Sequence, residues 1–502
     1  MTMSLKALCA LLLASLFFIS PVEALPKNSD ASLENSGFMI LDDGLEALHV
    51  RLTLIREAKR SLDLQYYIWH QDKAGKLLLS ALLDAAERGV KVRLLLDDMN
   101  LGDDRDLYRQ LDRHPQVEIR LFNPLKFDGK GISKVARSVE LMVDFKDKNR
   151  RMHNKMLLAD SSMAVLGGRN IGDEYFDLAV DGSFRDLDIF AQGPISEELT
   201  QTFDSYWKSE NSVPFFSDKI NVALSGAKSE EWSNLRQDFA LDRGKNSGGF
   251  LAQSKNLFTL PEIHKQLIWA PADAMADSPE IFSGDAEGVE DQLKDWPEPQ
   301  KSLLIESAYF IPTHALLKQF QGFLSRSVHI QVLTNSLQSN DVLMAHAGYM
   351  GKREDILRMG IDLFEWRRDL NKSGKSKSAN PYGSQAGLHS KAFVIDDEYV
   401  FIGSVNLDGR SIHLNTESGL MVHSRELARR VTDYIKGGMN PQTSWKISLA
   451  CPQLPCEEKD KRVLWKGQKG GQELTLDDEP EEGFWLRTSA KILSHLPFKS
   501  VL

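Results

Sequence analysis

A duplicated α/β architecture, two similar domains related by a pseudo-twofold axis with one site at their interface, is the fold class this 502-residue sequence predicts. Three observations carry it. Matched apolar segments recur in the same order in both halves of the chain. Each half alternates strand-like runs with helix-like stretches, the pattern of an α/β domain. A polar pattern, H-x-K-x4-D-x6-G-[GS]-x-N, occurs twice, 236 positions apart.

The elements follow in order. "AKRSLDLQYYIW" (58–69) answers to "QKSLLIESAYFI" (300–311), each a strand of alternating or continuous apolar type. Helical stretches are expected at 75–88 and 313–325. They lead into "GVKVRLLLDD" (89–98) and "SVHIQVLTNS" (327–336), and then into "VEIRLF" (117–122) and "IDLFEW" (361–366). The two histidine segments, "RMHNKMLLADSSMAVLGGRN" (151–170) and "GLHSKAFVIDDEYVFIGSVN" (387–406), each read as a strand, a turn and a further strand. Offsets between matched pieces rise only from 236 to about 244, as one duplicated domain with loop insertions would give. The expected organisation is a leader at 1–24, an N-terminal domain at 40–210, a linker or insertion at 211–285, a C-terminal domain at 286–445 and an extension at 446–502.

Bulk composition sets outer limits. Hydrophobic content of 42% and charged content of 26% are those of a globular chain rather than a disordered one. A net charge of -10 argues against a nucleic-acid partner, because such proteins concentrate positive charge. Residues 1–24 have Lys6, an apolar run from Ala7 to Ile19, and small residues around Ala24. This is the layout of a cleavable secretory signal, with an uncleaved anchor as the alternative. Export across an inner membrane is then expected, with the protein periplasmic or held at the periplasmic membrane face. Cys9 lies in the leader, leaving Cys451 and Cys456 either to close a small disulfide loop or to stay as free thiols. The loop 371–387 reads as a solvated insertion or a basic lid. The tail 483–502 reads as a helix docked on its own domain, with a membrane-surface helix as the second reading.

The repeated pattern carries the chemistry. In a strand, residues i and i+2 share a face, so His153 points with Lys155 and His389 with Lys391. Asp160 and Asp396 complete the motif at opposite parity, and are expected to bond backbone in the turn that follows. One histidine on an apolar strand is ordinary core; two His–Lys pairs at identical spacing are costly to bury without a purpose. Facing each other, they make a pocket of two imidazoles, two ammonium groups and the amides of Asn170 and Asn406, which suits a phosphodiester. No carboxylate cluster is in place to hold a metal, and no cofactor is expected. One imidazole attacks phosphorus while the other donates a proton to the leaving alcohol, work for which a pKa of roughly 6.5 is suited. Asp186 and Glu417, at the same place after each motif, are candidates to orient the two rings. His413 has no counterpart and reads as a packing residue, and the basic run Lys146, Lys148, Arg150 and Arg151 as a solvated face, with attraction of a headgroup phosphate as the second reading.

The doubled H-x-K-x4-D pattern resembles the phospholipase D superfamily, over about residues 40 to 440. Finer segments, "NRRMHNK", "GGRNIGDEYF", "LTNSLQSNDV", "NLDGRSIHLNTE" and a tail with "GFW", are similar to its cardiolipin synthase C type. The resemblance implies two phospholipase D-like α/β sandwich domains and a metal-free site. It implies phospholipid substrates at a membrane surface and phosphatidyl transfer yielding cardiolipin, with His153 as nucleophile and His389 as acid. Hydrolysis to phosphatidic acid and phosphodiesterase action on nucleic acid stay open beside it. An accessory protein is not specified by these residues.

Overall fold

The computed structural model describes residues 35–101, 105–126, 148–179, 182–215, 258–281, 288–367, 387–451, 462–480 and 484–494. The leader, most of the 371–387 loop, Lys146 and Cys456 lie outside them. Cys451 is disulfide-bonded. Among the described residues no helix is long and apolar enough to cross a membrane.

The first half builds a sheet from β1 (Ser36–Leu41), β2 (Ser61–Tyr66), β3 (Lys91–Asp97), β4 (Val117–Phe122), β6 (Met156–Ala159), β7 (Met163–Gly167), β8 (Asp188–Gln192), β9 (Ser212–Pro214) and β10 (Ile268–Ala270). A two-residue β5 (Arg151–Met152) stands apart. The second half supplies β11 (Ala272–Ala276), β12 (Ser302–Ser307), β13 (His329–Asn335), β14 (Asp362–Trp366), β15 (Lys391–Ile395), β16 (Tyr399–Gly403), β18 (Ser418–His423), β19 (Ser444–Leu449), β20 (Val463–Lys469) and β21 (Gln472–Leu476). Here too a two-residue β17 (Asn415–Thr416) stands apart.

The strand orders are β10-β1-β8-β7-β6-β2-β3-β4-β9 and β11-β18-β16-β15-β12-β13-β14-β19-β20-β21. Setting aside β10, β20 and β21, the two are one order of eight strands. In each, the three consecutive strands joined by helices run parallel and the motif hairpin runs antiparallel beside them. The helices Lys73–Glu87 and His314–Ser325 supply matching parallel crossovers. Both begin at an N-cap, Asp72 or Thr313, whose side chain accepts a backbone N–H of the first turn.

One interior is shared by both halves. Leu158, Leu166 and Ile189 of the first sheet pack with Val394, Ile402 and Leu420 of the second in a single buried cluster. The helices Ile195–Lys208 and Arg425–Gly438 pack along the inner faces.

Two expectations change here and a third holds. The 211–285 segment is not wholly linker: β9 and β10 complete the first sheet, and the chain crosses at Pro271 to begin the second with β11. The 446–502 extension carries most of β19 and all of β20 and β21, so it widens the second sheet. These strands are short or exposed, and without a partner in view their alternation is too brief to read. The tail helix Phe484–Ser494 docks on the helix Leu343–Met350 with Ala490 fully buried, which is the own-domain reading.

Candidate active site

The motif strand is broken where the chemistry sits. Residues 153–155 leave the ladder before β6 begins, and their backbone turns to the opposite half instead. His153 N–H donates to the Thr416 carbonyl at 2.9 Å, and β5 pairs in parallel with β17. Correspondingly, His389 N–H donates to the Arg185 carbonyl at 2.8 Å, and Arg185 N–H to the Gly387 carbonyl at 2.9 Å. Each histidine is thus anchored beside the residue that precedes the other half's carboxylate.

The carboxylates cross over. His153 Nδ1 donates to Glu417, 2.8 Å from Oε2 and 3.0 Å from Oε1. His389 Nδ1 lies 2.8 Å from Asp186 Oδ2. With Nδ1 held by a carboxylate, Nε2 is the nitrogen each ring has free for reaction. The side chain of Glu417 is braced by Ser404 Oγ at 2.5 Å, and its backbone N–H by Asp277 Oδ2 at 2.7 Å. At Gly168, the position matching Ser404, a Cβ would lie 2.0 Å from Asp186 Oδ1. The longer Glu417 leaves space for a serine behind it; the shorter Asp186 demands a glycine.

Electrostatics separate the two halves. Burial first, then the charges of Lys155, Lys391, His389 and Arg410, hold the His153 pKa well below its usual value. His389 is lowered too, by burial and Lys391, while Asp186 opposes that shift. Burial raises Asp186, but His389, Lys391 and Arg169 outweigh it and bring its pKa down to about 2. Glu417 is pushed by burial up to about 7, and Lys155 is brought down by burial to about 7. Lys391 is lowered as well, chiefly by burial. Each lysine reaches back to the carbonyl of its own histidine, and Lys391 Nζ also lies 3.0 Å from His389 Nδ1.

Asp160 and Asp396 stand elsewhere. Asp160 accepts from the backbone N–H groups of Lys59, Arg60 and Ser61, and Asp396 from those of Gln300, Lys301 and Ser302. They bond backbone, but that of the lead-in to β2 and β12 rather than the following turn, and neither touches an imidazole. Each is itself the first central residue of a tight turn, with φ of 55° followed by 54° or 56° at the next residue. This left-handed pair is the hairpin geometry that aspartate tolerates well. Their motif membership is architectural.

Other expectations are also refined. Asn170 accepts from Ile68 N–H at 3.2 Å and donates to the Tyr175 hydroxyl at 3.1 Å, so it holds the wall of the site as much as it faces it. Asn406 is buried, and among the described residues its Oδ1 has no partner. Arg151 is fully buried against Asp97 instead of solvated, and His413 is exposed rather than packed. A basic run and a missing counterpart are features of the chain alone, and neither registers tertiary burial.

Several wall residues were missed. Tyr67 packs edge-on to His153 at 5.0 Å, and Tyr175 and Phe184 pack on His389, each at 5.2 Å. Tyr309, one position beyond the one that matches Tyr67, donates to Asp341 at 2.7 Å. The recurrence of tyrosine at the ends of the matched strands was the available signal. A largely apolar cavity of about 340 Å³ lies between β12, β15 and the helix His314–Ser325, lined in part by Leu303, Ile305, Phe320 and Phe393. Its lining extends to Asn406 and Glu417.

With two inward-facing His–carboxylate pairs on a doubled α/β scaffold, the fold and site define a phospholipase D-like enzyme. The family described as "Cardiolipin synthase, PLD-like domain" matches residues 52–207 and 297–438. Cardiolipin synthase C of Escherichia coli K12 is 36% identical over 482 residues, 93% of this chain and 96% of that protein. Cardiolipin synthase B of the same strain is 23% identical, over 86% and 85% of the two chains. The crystal structure of phosphatidylserine synthase from Haemophilus influenzae shares the fold, with a TM-score of 0.55, 16% identity, and coverage of 82% and 89%. The chain belongs to the cardiolipin synthase, phospholipase D-like family, whose members are enzymes of the phosphatidyltransferase type.

Proposed function

We propose that the protein transfers a phosphatidyl group from one phospholipid to the alcohol of another, forming cardiolipin through a phosphohistidine on His153. The crossed His153–Glu417 and His389–Asp186 pairs carry this reading, because each half of the chain supplies one imidazole and the other half orients it.

In the first step Nε2 of His153 attacks phosphorus, the bond to the headgroup oxygen breaks, and His389 supplies the proton that oxygen needs. His153 suits the attack because its depressed pKa keeps it unprotonated. His389 suits the proton transfer because ionised Asp186 favours its charged form. In the second step neutral His389 takes the proton of the incoming alcohol, whose oxygen bonds phosphorus as the P–N bond breaks. Lys155 and Lys391 place positive charge beside the oxygens on which negative charge accumulates. The apolar cavity reaching Glu417 suits lipid rather than nucleic acid. The signal-like pattern of residues 1–24 supports placing the reaction at the outer face of an inner membrane.

Vesicles of phosphatidylglycerol and phosphatidylethanolamine, incubated with the purified protein in chelator, test the reading. Cardiolipin on thin-layer analysis is expected. Phosphatidic acid as sole product would replace transfer with hydrolysis, and nicked plasmid without lipid turnover would replace both with nuclease action.

A further inference from the structure

Two positions break the likeness of the halves at the site. Four residues after each motif asparagine, the first half has Glu174 and the second has Arg410. Glu174 is engaged with His70, 3.1 Å from Nδ1, and it feels the charge of His389. Arg410 sits half-buried, and its field reaches His153 and Tyr67. Both terminal nitrogens of Arg410 donate to one acceptor, Asn149 Oδ1, each at 3.2 Å. Among the described residues no carboxylate pairs with it, which leaves part of its five-donor fork unspent. Further charges add to the asymmetry: Asp341 bonds Tyr309 and its charge reaches His389, whereas Asp97, whose charge reaches Tyr67, is paired with Arg151. Beyond the lysines and the crossed carboxylates that both sides share, the added charge near His153 is therefore that of Arg410, and near His389 those of Glu174 and Asp341.

Building on the phosphatidyl-transfer reading, we infer that Arg410 is a phosphate-binding residue which, opposed by Glu174 at the matched position, directs the phosphoryl group onto His153 rather than His389. A half-buried guanidinium without an ion partner is a ready fork for non-bridging phosphate oxygens. As the P–N bond to His153 forms and the headgroup P–O bond breaks, those oxygens move onto the His153 side, within the field of Arg410. Transfer onto His389 would carry the same charge toward Glu174 and Asp341. The lysines, present in both halves, cannot make this choice.

The test maps the adduct. The protein is quenched during turnover of radiolabelled phosphatidylglycerol vesicles, digested, and the phosphohistidine peptide identified. Label on His153 is expected in the native protein. Arg410→Gln should slow adduct formation about 10²-fold, mainly in kcat, with Arg410→Lys recovering part of it. Glu174→Arg, with Arg410 retained, should divide the label between His153 and His389, and the exchange R410E with E174R should move it to His389. Label confined to His153 in Glu174→Arg, or an Arg410→Gln rate within about twofold of native, would overturn the inference while leaving phosphatidyl transfer standing. Cardiolipin formed with no adduct on either histidine would instead remove the covalent reading on which the inference rests.

Discussion

His153, Lys155, Glu417 and Asp186 show what burial does to ordinary side chains. Glu417 and Lys155 are both brought to about 7 from opposite directions. As pH falls through 7, Glu417 takes up a proton and no longer accepts, as a carboxylate, the Nδ1–H bond that keeps Nε2 of His153 free to attack. As pH rises through 7, Lys155 loses the charge that faces the phosphate. The rate of lipid turnover should therefore peak near 7, with a limb on each side. Glu417→Gln should lower kcat roughly 10²-fold and displace the acid limb to lower pH, where His153 itself protonates; an unmoved acid limb in a kcat–pH profile would contradict this origin. His389→Ala separates the two chemical steps. With a phosphatidyl ester of nitrophenol, whose departure needs no proton, the variant should still release nitrophenol in a burst and then hold an acid-labile adduct.

Asp160 illustrates a motif residue whose work is stability. Burial raises its pKa, but three backbone N–H groups lower it by more. A depressed carboxylate stabilises the fold above its unfolded pKa of about 3.9 and loses that contribution as pH falls through the folded value. Asp160→Asn should cost about 1–2 kcal/mol, from weakened charge-assisted bonds. Turnover per folded molecule should stay within a few fold. Thermal melts at pH 7 and pH 3 would check it, since the difference between the two proteins should shrink at the lower pH.

At the level of elements, glycines mark where backbone and carboxylate come close. Gly168→Ala would drive a methyl group into Asp186, so the carboxylate must leave His389 and activity should fall at least tenfold even where the protein folds. Gly322, inside the helix His314–Ser325, has open space around it. Gly322→Ala should stabilise the protein by about 0.5–1 kcal/mol without touching turnover. Differential scanning calorimetry and the vesicle assay on both variants would separate a packing role from a helix-propensity role. The strands and crossover helices near the motifs were readable because each has a matched copy, so register could be checked twice. β10, β20 and β21 had no such copy to compare, and short edge strands such as β9 carry little periodicity of their own.

For the whole molecule, the shared interior and the crossed pairs make each half incomplete. Residues 35–270 alone would expose the inner face of the first sheet and leave His153 without Glu417. Such a fragment, expressed by itself, should be inactive and prone to associate, and it should regain turnover only when the second half is co-expressed. Activity in an isolated half would mean that it pairs with a second copy of itself, which size-exclusion chromatography would show.

The residues alone determined the duplication, the four motif side chains at identical spacing, the two carboxylates and the kind of bond attacked. Those features depend on local order and on repetition, and both are written along the chain. Tertiary structure decided which carboxylate serves which histidine, that the motif aspartates brace neighbouring strands, and that Tyr67, Tyr175 and Phe184 pack on the two imidazoles. The physical reason is that such partners are joined by packing across one interior, as with His153 and Glu417, 264 residues apart. Spacing in the chain does not encode which side chains from the two halves share that interior, whereas the lowest-energy arrangement of both sheets does.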